Sequence, residues 1–223
     1  VRFIEPYIEA IKKHFDVLVA VDGLPPQTDR WIDRTYAMGA DAISYNLEIF
    51  DPTLFKQICP GPARAIGRER FLDALEYAAT VFPSGGTACH LIVGMESLES
   101  TRAGIDRLTE MGVLPVLPLY RPFKGRDMRH EPVTPSRDLN RTTLSAVNRH
   151  LYEAVKRAGI SLHMVRDIAI VTTPLEARFF AETGSLWSSL SYRMMGSWWG
   201  RRTTAHLSDL RRALRVRHVP ESA

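Results

Sequence analysis

Polar and apolar side chains alternate along the segment from residue 42 to residue 48. In an extended strand this alternation places Ser44, Asn46 and Glu48 on one face. Apolar residues form the opposite face: Ile43, Tyr45 and Leu47. Because ligands in α/β proteins bind beyond the carboxyl ends of the strands, the polar face is a candidate binding site. In the alternative interpretation, Asn46 and Glu48 only cap the strand and bind loop amides.

A second strand, predicted over residues 89 to 94, has a similar pattern. His90, Ile92, Gly94 and Glu96 fall on one of its sides. The glycine would let a ligand approach the backbone closely. His90 also fits a hydrogen-bonded core residue, which is the more common role of a single histidine within a strand.

The sequence lacks the residues that several other common enzyme chemistries need. A Schiff-base enzyme requires a lysine at a strand end, and of the five lysines only Lys124 closely follows a predicted strand. The sequence has no glycine-rich phosphate loop and no group of histidine, cysteine and carboxylate residues with zinc spacing. Cys59 has no histidine nearby in the sequence, so we expect a structural thiol rather than a nucleophile.

The elements that carry these residues alternate between strand and helix. Repeated units of this kind indicate a parallel sheet with right-handed crossovers, either an open doubly wound sheet or part of a (β/α) barrel. Four strands are predicted, at residues 16 to 22, 42 to 48, 89 to 94 and 113 to 120, the first of them buried. Three helices lie between them, at residues 27 to 38, 68 to 82 and 98 to 111.

The remaining segments surround this repeat. An amphipathic helix opens the chain, and proline and glycine indicate a loop between residues 52 and 67. Pro115 and Pro118 cannot donate ladder hydrogen bonds, so the fourth strand should border a gap or an irregular barrel edge. Three further predictions complete the chain: a long helix at residues 138 to 158, a strand at 169 to 173, and helices within 174 to 217.

The net charge of +4 is concentrated near the C-terminal end. Residues 201 to 223 hold six arginines and two acidic residues, whereas residues 1 to 200 hold 23 basic and 23 acidic side chains. The neutral body argues against a nucleic-acid-binding core. Residues 186 to 217 combine tryptophan and arginine in an amphipathic pattern, which suits a membrane surface or a partner groove and also suits packing against the sheet.

Cysteine content and hydropathy indicate the compartment. Only two cysteines occur, and no apolar run reaches the roughly 18 residues that a spanning helix needs, so we expect a cytoplasmic protein whose tail is a candidate membrane contact. The sequence begins at Val1 in the middle of a helical pattern, and we therefore expect a fragment or a processed product.

These motifs together resemble the radical S-adenosylmethionine (SAM) superfamily, in its biotin-synthase and lipoyl-synthase-like branch. The resemblance covers about residues 1 to 125. Tyr45 to Pro52 is similar to the family's fourth-strand segment, whose Asn and acidic residue typically contact the ribose or methionine part of the cofactor. Ile58 to Gly61, followed by Arg68 to Arg70, resembles the loop and helix start that come next in that branch.

Two later segments extend the resemblance. His90 to Glu96 resembles the fifth-strand G-x-I-x-G-x-x-E motif near the adenine, with Ile92 and Gly94 in register. It departs from the motif because His90 replaces the first glycine and the acidic residue comes one position early. Pro118 to Pro122 stands where the family's sixth strand lines the adenine pocket.

The resemblance implies a partial TIM-type (β/α) barrel over residues 1 to 125. A barrel-completing or substrate-side extension at 126 to 173 and a helical, basic tail at 174 to 223 would follow. Eight residues are the implied SAM contacts: Ser44, Asn46, Glu48, His90, Ile92, Gly94, Glu96 and Pro118. Tyr120 and Arg121 are the expected substrate contacts. A second group either binds an anionic part of the substrate or belongs to a solvated loop: Arg126, Arg129, His130 and Arg137.

The implied reaction is reductive cleavage of SAM to a 5'-deoxyadenosyl radical, which abstracts hydrogen from an unidentified small molecule. An electron donor such as ferredoxin or flavodoxin is the implied partner. The family holds a [4Fe-4S] cluster on C-x3-C-x2-C and the amino group of SAM on a Gly-Gly-Glu-like segment, and this sequence contains neither motif. We therefore expect the cluster in the full-length protein only, and no activity from this chain alone.

Two other classes of function stay open at this point. A non-catalytic α/β scaffold or interaction module would use the basic tail to bind a membrane or a partner. An ordinary barrel lyase would act without iron or SAM.

Overall fold

The computed structural model describes residues 3 to 121, 139 to 162 and 198 to 216, the last range with side chains from 202 to 215. It contains a four-stranded parallel sheet with flanking helices, which confirms the α/β class and fits a partial β/α fold with a helical extension. The strands are β1 (Ala20–Gly23), β2 (Ala42–Tyr45), β3 (Thr87–His90) and β4 (Leu114–Val116). The helices are α1 (Glu5–His14), α2 (Arg30–Ala37), α3 (Pro52–Ile58), α4 (Pro60–Ala65), α5 (Arg68–Val81), α6 (Leu98–Glu110), α7 (Arg141–Arg157) and α8 (Trp198–Val216).

The strands of the sheet follow one another in space as they do in sequence. The order is β1-β2-β3-β4, and each neighbouring pair is parallel. Asp22 pairs with Ser44 near the end of β1, and an isolated bridge between Glu48 and Leu91 continues the pairing beyond β2. Because the strands are parallel, their carboxyl ends lie at one edge of the sheet, which we call the carboxyl edge.

The hydrophobic core lies between the sheet and the helices. The apolar face predicted for the second strand is confirmed, since Ile43, Tyr45 and Leu47 are all buried. The predicted helical spacing in α5 and α6 also places one apolar stripe of each helix in the core. These stripes consist of Phe71, Leu75, Ala78, Ile105 and Leu108.

The first strand is shorter and more exposed than its sequence predicted. The apolar run over residues 16 to 22 predicted a buried strand, yet β1 begins at Ala20 and three of its four residues are exposed. The reason is its position, because β1 is an edge strand among the described residues and pairs with β2 on one side only. The opening helix is confirmed as α1, although Ile8 is its one buried residue.

The loop predicted between residues 52 and 67 is wrong, because α3 and α4 occupy most of it. Asp51 caps α3, and its carboxylate accepts hydrogen bonds from the amides of Thr53 and Leu54, both at 2.8 Å. Each helix has a proline in its first turn. Proline suits that position since its φ is already helical and the N–H that it lacks would have no partner within the helix.

Pro115 fits β4 because the strand lies at an edge. The carbonyl of Val116 accepts a hydrogen bond from the amide of Leu91 at 3.0 Å, so the backbone of Val116 faces β3. Backbone groups of successive strand residues face opposite sides, and Pro115 therefore faces away from β3. In the described part of the chain no strand lies on that side. Among the described strands, β4 thus has the edge position that Pro115 predicted.

A buried carboxylate attaches α8 to the amino-terminal side of the sheet. Asp41 is fully buried, and it accepts hydrogen bonds from Lys12 at 3.1 Å, the amide of Val19 at 2.8 Å and the hydroxyl of Ser208 at 2.6 Å. The buried guanidinium of Arg212 forms an ion pair with the same carboxylate. This cluster joins α1, the start of β1, the turn before β2, and α8.

The described part of the basic tail is engaged in contacts within the chain. Arg202 pairs with Asp16 at 2.8 Å, and the guanidinium of Arg215 lies 5.9 Å from the ring centre of Tyr36. These contacts agree with the packing interpretation of the tail. No helix within the described residues is long and apolar enough to cross a membrane. The strand predicted at 169 to 173 and the tryptophan side chains of the tail lie outside the described residues.

We predict that Asp41→Ala lowers the free energy of unfolding by about 3 kcal/mol, because it removes the buried carboxylate from Arg212 and leaves this buried guanidinium with the more exposed Asp209. Urea unfolding monitored by circular dichroism measures this change. Trypsin should also cleave more quickly within α8, which loses its attachment. Ser208→Ala is a milder variant, expected to lose about 1 kcal/mol, for use if the alanine at 41 prevents folding. Asp73→Ala, an exposed aspartate on α5, is the matched control. Equal effects at positions 41 and 73 would refute this role.

Candidate functional site

An open cleft of about 400 Å³ lies at the carboxyl edge, beyond β1 and β2. Its polar lining comes from Asp22 near the end of β1 and from Asn46 and Glu48 just after β2. The rest of its lining is less polar: Gly23, Leu24, Leu47, Phe55, Cys59 and Pro62. Asn46 and Glu48, which the sequence indicated as cofactor contacts, therefore line the cleft together. Asp22, which the sequence analysis did not indicate, lies beside them.

Asn46 connects three strands through its side chain. Its Nδ2 donates to Oδ1 of Asp22 at 3.0 Å. Its Oδ1 accepts from the hydroxyl of Ser44 at 2.6 Å and from the backbone amide of His90 at 3.1 Å. Because both ends of the amide are engaged, the side chain has one preferred orientation. Ser44 does not line the cleft, and its hydrogen bond to Asn46 orients the amide of that residue.

Glu48 has a strained backbone. Its φ is 68°, in the left-handed region that residues with a side chain seldom adopt. The neighbouring strand holds this conformation, since the amide of Glu48 donates to the carbonyl of His90 at 2.9 Å and its carbonyl accepts from the amide of Ile92 at 2.8 Å. Strain of this kind persists only where the surrounding structure enforces it, and it is concentrated at functional sites.

Burial and neighbouring charges shift the pKa values of three groups in or beside the cleft. Partial burial, together with the charge of Asp22, raises the pKa of Glu48 from 4.5 to about 7. Burial lowers the pKa of His90, an effect that Asp22 partly offsets. Burial and the charge of Glu48 raise the pKa of Cys59, so this cysteine stays a thiol at neutral pH, as a structural role requires. Near pH 7 Glu48 can therefore either hold or release a proton.

Glu96 supports the loop that follows β2. It is buried, and its carboxylate accepts hydrogen bonds from the amides of Phe50 at 3.2 Å and Asp51 at 2.8 Å and from the hydroxyl of Ser100 at 2.7 Å. Burial raises the pKa of Glu96, whereas these hydrogen bonds lower it. The contacts fix the loop that carries the start of α3, whose Phe55 lines the cleft.

The space beside Gly94 is occupied by protein. Gly94 has a φ of 103°, and a β-carbon added there would lie 2.9 Å from Cδ2 of Leu139 and 3.6 Å from Cβ of Tyr120. The close approach that the sequence suggested for a ligand is thus made by Leu139. The remaining predicted residues also lie outside the lining of the cleft: Ile92, Pro118 and Tyr120 are half-buried, and Arg121 is exposed.

Sequence reasoning missed Asp22 and the apolar wall of the cleft. Asp22 directly precedes Gly23 at a strand end, and it pairs in register with Ser44. The sequence could have indicated Asp22, because polar residues stand near the ends of two neighbouring predicted strands. Phe55 and Cys59 had no such signal, because their segment was predicted to be a loop rather than helix α3 and its end.

Metal-binding residues do not cluster in the described part of the chain. No group of three or more histidine, cysteine, aspartate or glutamate residues there could hold a metal ion. Cys89 is fully buried in the core and contacts the amide of Leu47 through its sulfur at 3.4 Å. Cys59 is half-buried in the cleft.

Comparison with known proteins finds one relevant similarity. The chain is 30% identical over 109 residues to the bacteriochlorophyllide c C-7(1)-hydroxylase of Chlorobaculum limnaeum. The match covers 48% of this chain and 27% of the hydroxylase, so it spans about a quarter of that enzyme's length. No family model and no solved structure matches the chain. At a coarse level the similarity supports an enzyme.

We predict that Glu48→Gln stabilises the chain at high pH and not at low pH. The folded-state pKa of about 7 lies above the ordinary 4.5, so ionisation favours the unfolded state as the pH rises from 4.5 through 7. After discounting for solvent exposure, the variant should be about 1 to 2 kcal/mol more stable than the wild type at pH 8.5 and similar to it at pH 4. Urea unfolding at both pH values measures the difference.

Glu110→Gln is the matched control for this prediction. Glu110 is exposed at the end of α6, away from the carboxyl edge, so its substitution shows what the loss of an exposed carboxylate alone does. A Glu48→Gln variant whose relative stability does not change with pH would show that Glu48 ionises in the folded chain as it does in water.

Proposed function

We propose that this chain forms part of a radical SAM enzyme and that its cleft contributes to the binding of SAM. The single observation that carries the proposal is the hydrogen-bonded row across the carboxyl ends of three consecutive parallel strands, with Glu48 beside it in the cleft. The row consists of the side chains of Asp22 and Asn46 and the backbone amide of His90. The similarity to a hydroxylase of the radical SAM type supports the proposal at a coarse level. The motifs between Tyr45 and Glu96 supply the finer assignment.

The polar groups of the cleft suit this cofactor chemically. Carboxylate and amide oxygens accept hydrogen bonds from ribose hydroxyls and ammonium groups, and carboxylates favour the positive charge of a sulfonium. Asn46 and Glu48 would hold the ribose or methionine part, with Asp22 and Ser44 keeping Asn46 in place. When bound and reduced by one electron, SAM supplies the radical that abstracts hydrogen from a substrate. Leu24, Phe55 and Pro62 would limit the access of water, since they form the apolar side of the cleft.

The cysteines of this chain do not fit a [4Fe-4S] cluster. Such a cluster needs three closely spaced thiolates, and the sequence has only Cys59 and Cys89, which are 30 positions apart. Cys89 is also fully buried among core residues, and burial raises the pKa of its thiol. We therefore propose that the cluster ligands and the site for the electron donor are supplied outside this chain.

The first test is binding of SAM to the 223-residue chain, measured by isothermal titration calorimetry. Saturable binding is expected, and Asn46→Ala should raise the Kd about tenfold because it removes one hydrogen-bonding group and releases Asp22. Glu110→Gln, at the opposite end of α6, should bind as the wild type does. No saturable binding, or an equal loss of affinity in both variants, would show that SAM does not bind in this cleft.

The second test addresses catalysis in the complete protein encoded by the source gene. After anaerobic reconstitution with iron and sulfide and reduction with dithionite, we expect 5'-deoxyadenosine to form from SAM, as measured by chromatography. Glu48→Gln should reduce the rate at saturating iron, whereas Glu110→Gln should not. A gene without a three-cysteine motif, or a reconstituted protein that forms no 5'-deoxyadenosine, would contradict the enzymatic proposal.

Two observations favour a second candidate, a non-catalytic scaffold. The two cysteines cannot form the cluster site. The helix α8 packs at the amino-terminal side of the sheet, where the ion pair between Arg212 and Asp41 stabilises the fold. In that case the complete protein would bind neither iron nor SAM and would keep its fold without them. The reconstitution experiment distinguishes the two candidates.

A further inference from the structure

A second concave site lies between the exposed surfaces of α6 and α7. This groove, which we call the arginine groove, has a volume of about 600 Å³. α6 contributes Arg102, and α7 contributes Arg141 and Arg149. The two hydroxyl groups of Thr142 and Ser145 lie between these guanidinium groups along α7. The arginine groove shares no lining residue with the cleft at β1 and β2.

The spacing on α7 places its cations on one stripe of the helix. Arg141, Ser145 and Arg149 are four residues apart, so they follow one another on successive turns and span about 12 Å along the axis. Arg102 lies on the facing helix, and α6 and α7 are held together nearby by the hydrogen bond between His150 Nε2 and Asp106 Oδ1 at 2.9 Å. Three positive side chains thus line both walls of one groove.

Within the described ranges, carboxylates only partly balance the charges of the groove. Arg102, Arg141 and Arg149 are exposed, and none of them forms an ion pair with a carboxylate among the described residues. Glu153 is the one acidic residue in the lining. Asp106, which lies beside the groove, is already bonded to His150. Counting Asp106 as well as Glu153 against the three arginines leaves an excess of about one positive charge, and a bound anion relieves the mutual repulsion of the arginines.

We propose that the arginine groove binds a small ligand that carries two or more phosphate groups. Guanidinium groups donate paired hydrogen bonds to phosphate oxygens, and the neighbouring hydroxyl groups add single donors. The concave shape and the volume suit a small molecule better than a flat membrane. A nucleic acid is disfavoured, because residues 1 to 200 carry no net charge and so offer no extended basic face. This proposal stands independently of the SAM proposal.

The test uses the 223-residue chain and linear tripolyphosphate as the probe, with calorimetry at 50 mM and 150 mM NaCl. We expect one saturable site. Arg102→Gln and Arg149→Gln should each raise the Kd about tenfold, and Arg149→Lys should restore part of the affinity because it keeps the charge and loses the paired donors. Arg211→Gln removes an exposed arginine on α8, outside the groove, and should leave the Kd unchanged.

Two further readouts locate the ligand and identify its class. The imidazole proton signals of His150, assigned with His150→Gln, should shift during an NMR titration with tripolyphosphate. Thermal melting should be the same for all arginine variants without the probe, since these side chains are exposed. No saturable binding, equal loss in Arg211→Gln, an unshifted His150 signal, or tighter binding of a DNA duplex than of tripolyphosphate would each overturn the proposal.

Discussion

Parallel pairing of β1, β2 and β3 is the constraint on which the candidate site depends. It brings the carboxyl ends of the three strands to one edge, so that Asp22, Asn46 and His90 become neighbours although 68 positions separate the first from the last. Asn46 then fixes the arrangement, because its amide accepts from one neighbouring strand and donates to the other. A shift of one residue in the register would turn these side chains to the opposite face and abolish the site.

The rest of the fold supports that edge from two directions. At the carboxyl edge, Glu96 binds the loop before α3 and thereby sets the apolar wall of the cleft. At the other end of the sheet, Asp41 accepts hydrogen bonds from Lys12, Ser208 and Arg212, and these contacts keep α1 and α8 in place. Buried charges contribute stability only when fully paired, and this cluster meets that requirement for Asp41. The strained backbone of Glu48 is held by its hydrogen bonds with His90 and Ile92 on the neighbouring strand.

Two chemically different surfaces result on one small scaffold. The cleft presents carboxylates and an amide and suits a cation or a set of hydroxyl groups, whereas the arginine groove presents guanidinium groups and suits phosphates. The first is built at strand ends and depends on the sheet, while the second is built on helix surfaces and depends on the packing of α6 against α7. Similarity to part of a hydroxylase agrees with an enzyme at the first surface and says nothing of the second.

The sequence by itself determined the α/β class, the alternating faces of β2, and the helices α5, α6 and α7, because periodicity and caps are local properties. It also placed Asn46 and Glu48 on a polar face. Only the tertiary structure decided that Asp22 joins them, that Leu139 fills the space at Gly94, and that Glu96 binds loop amides. It also decided that β1 is exposed and that Arg212 is buried. Each of these outcomes depends on which distant segment lies next to a residue, and local pattern carries no information on that.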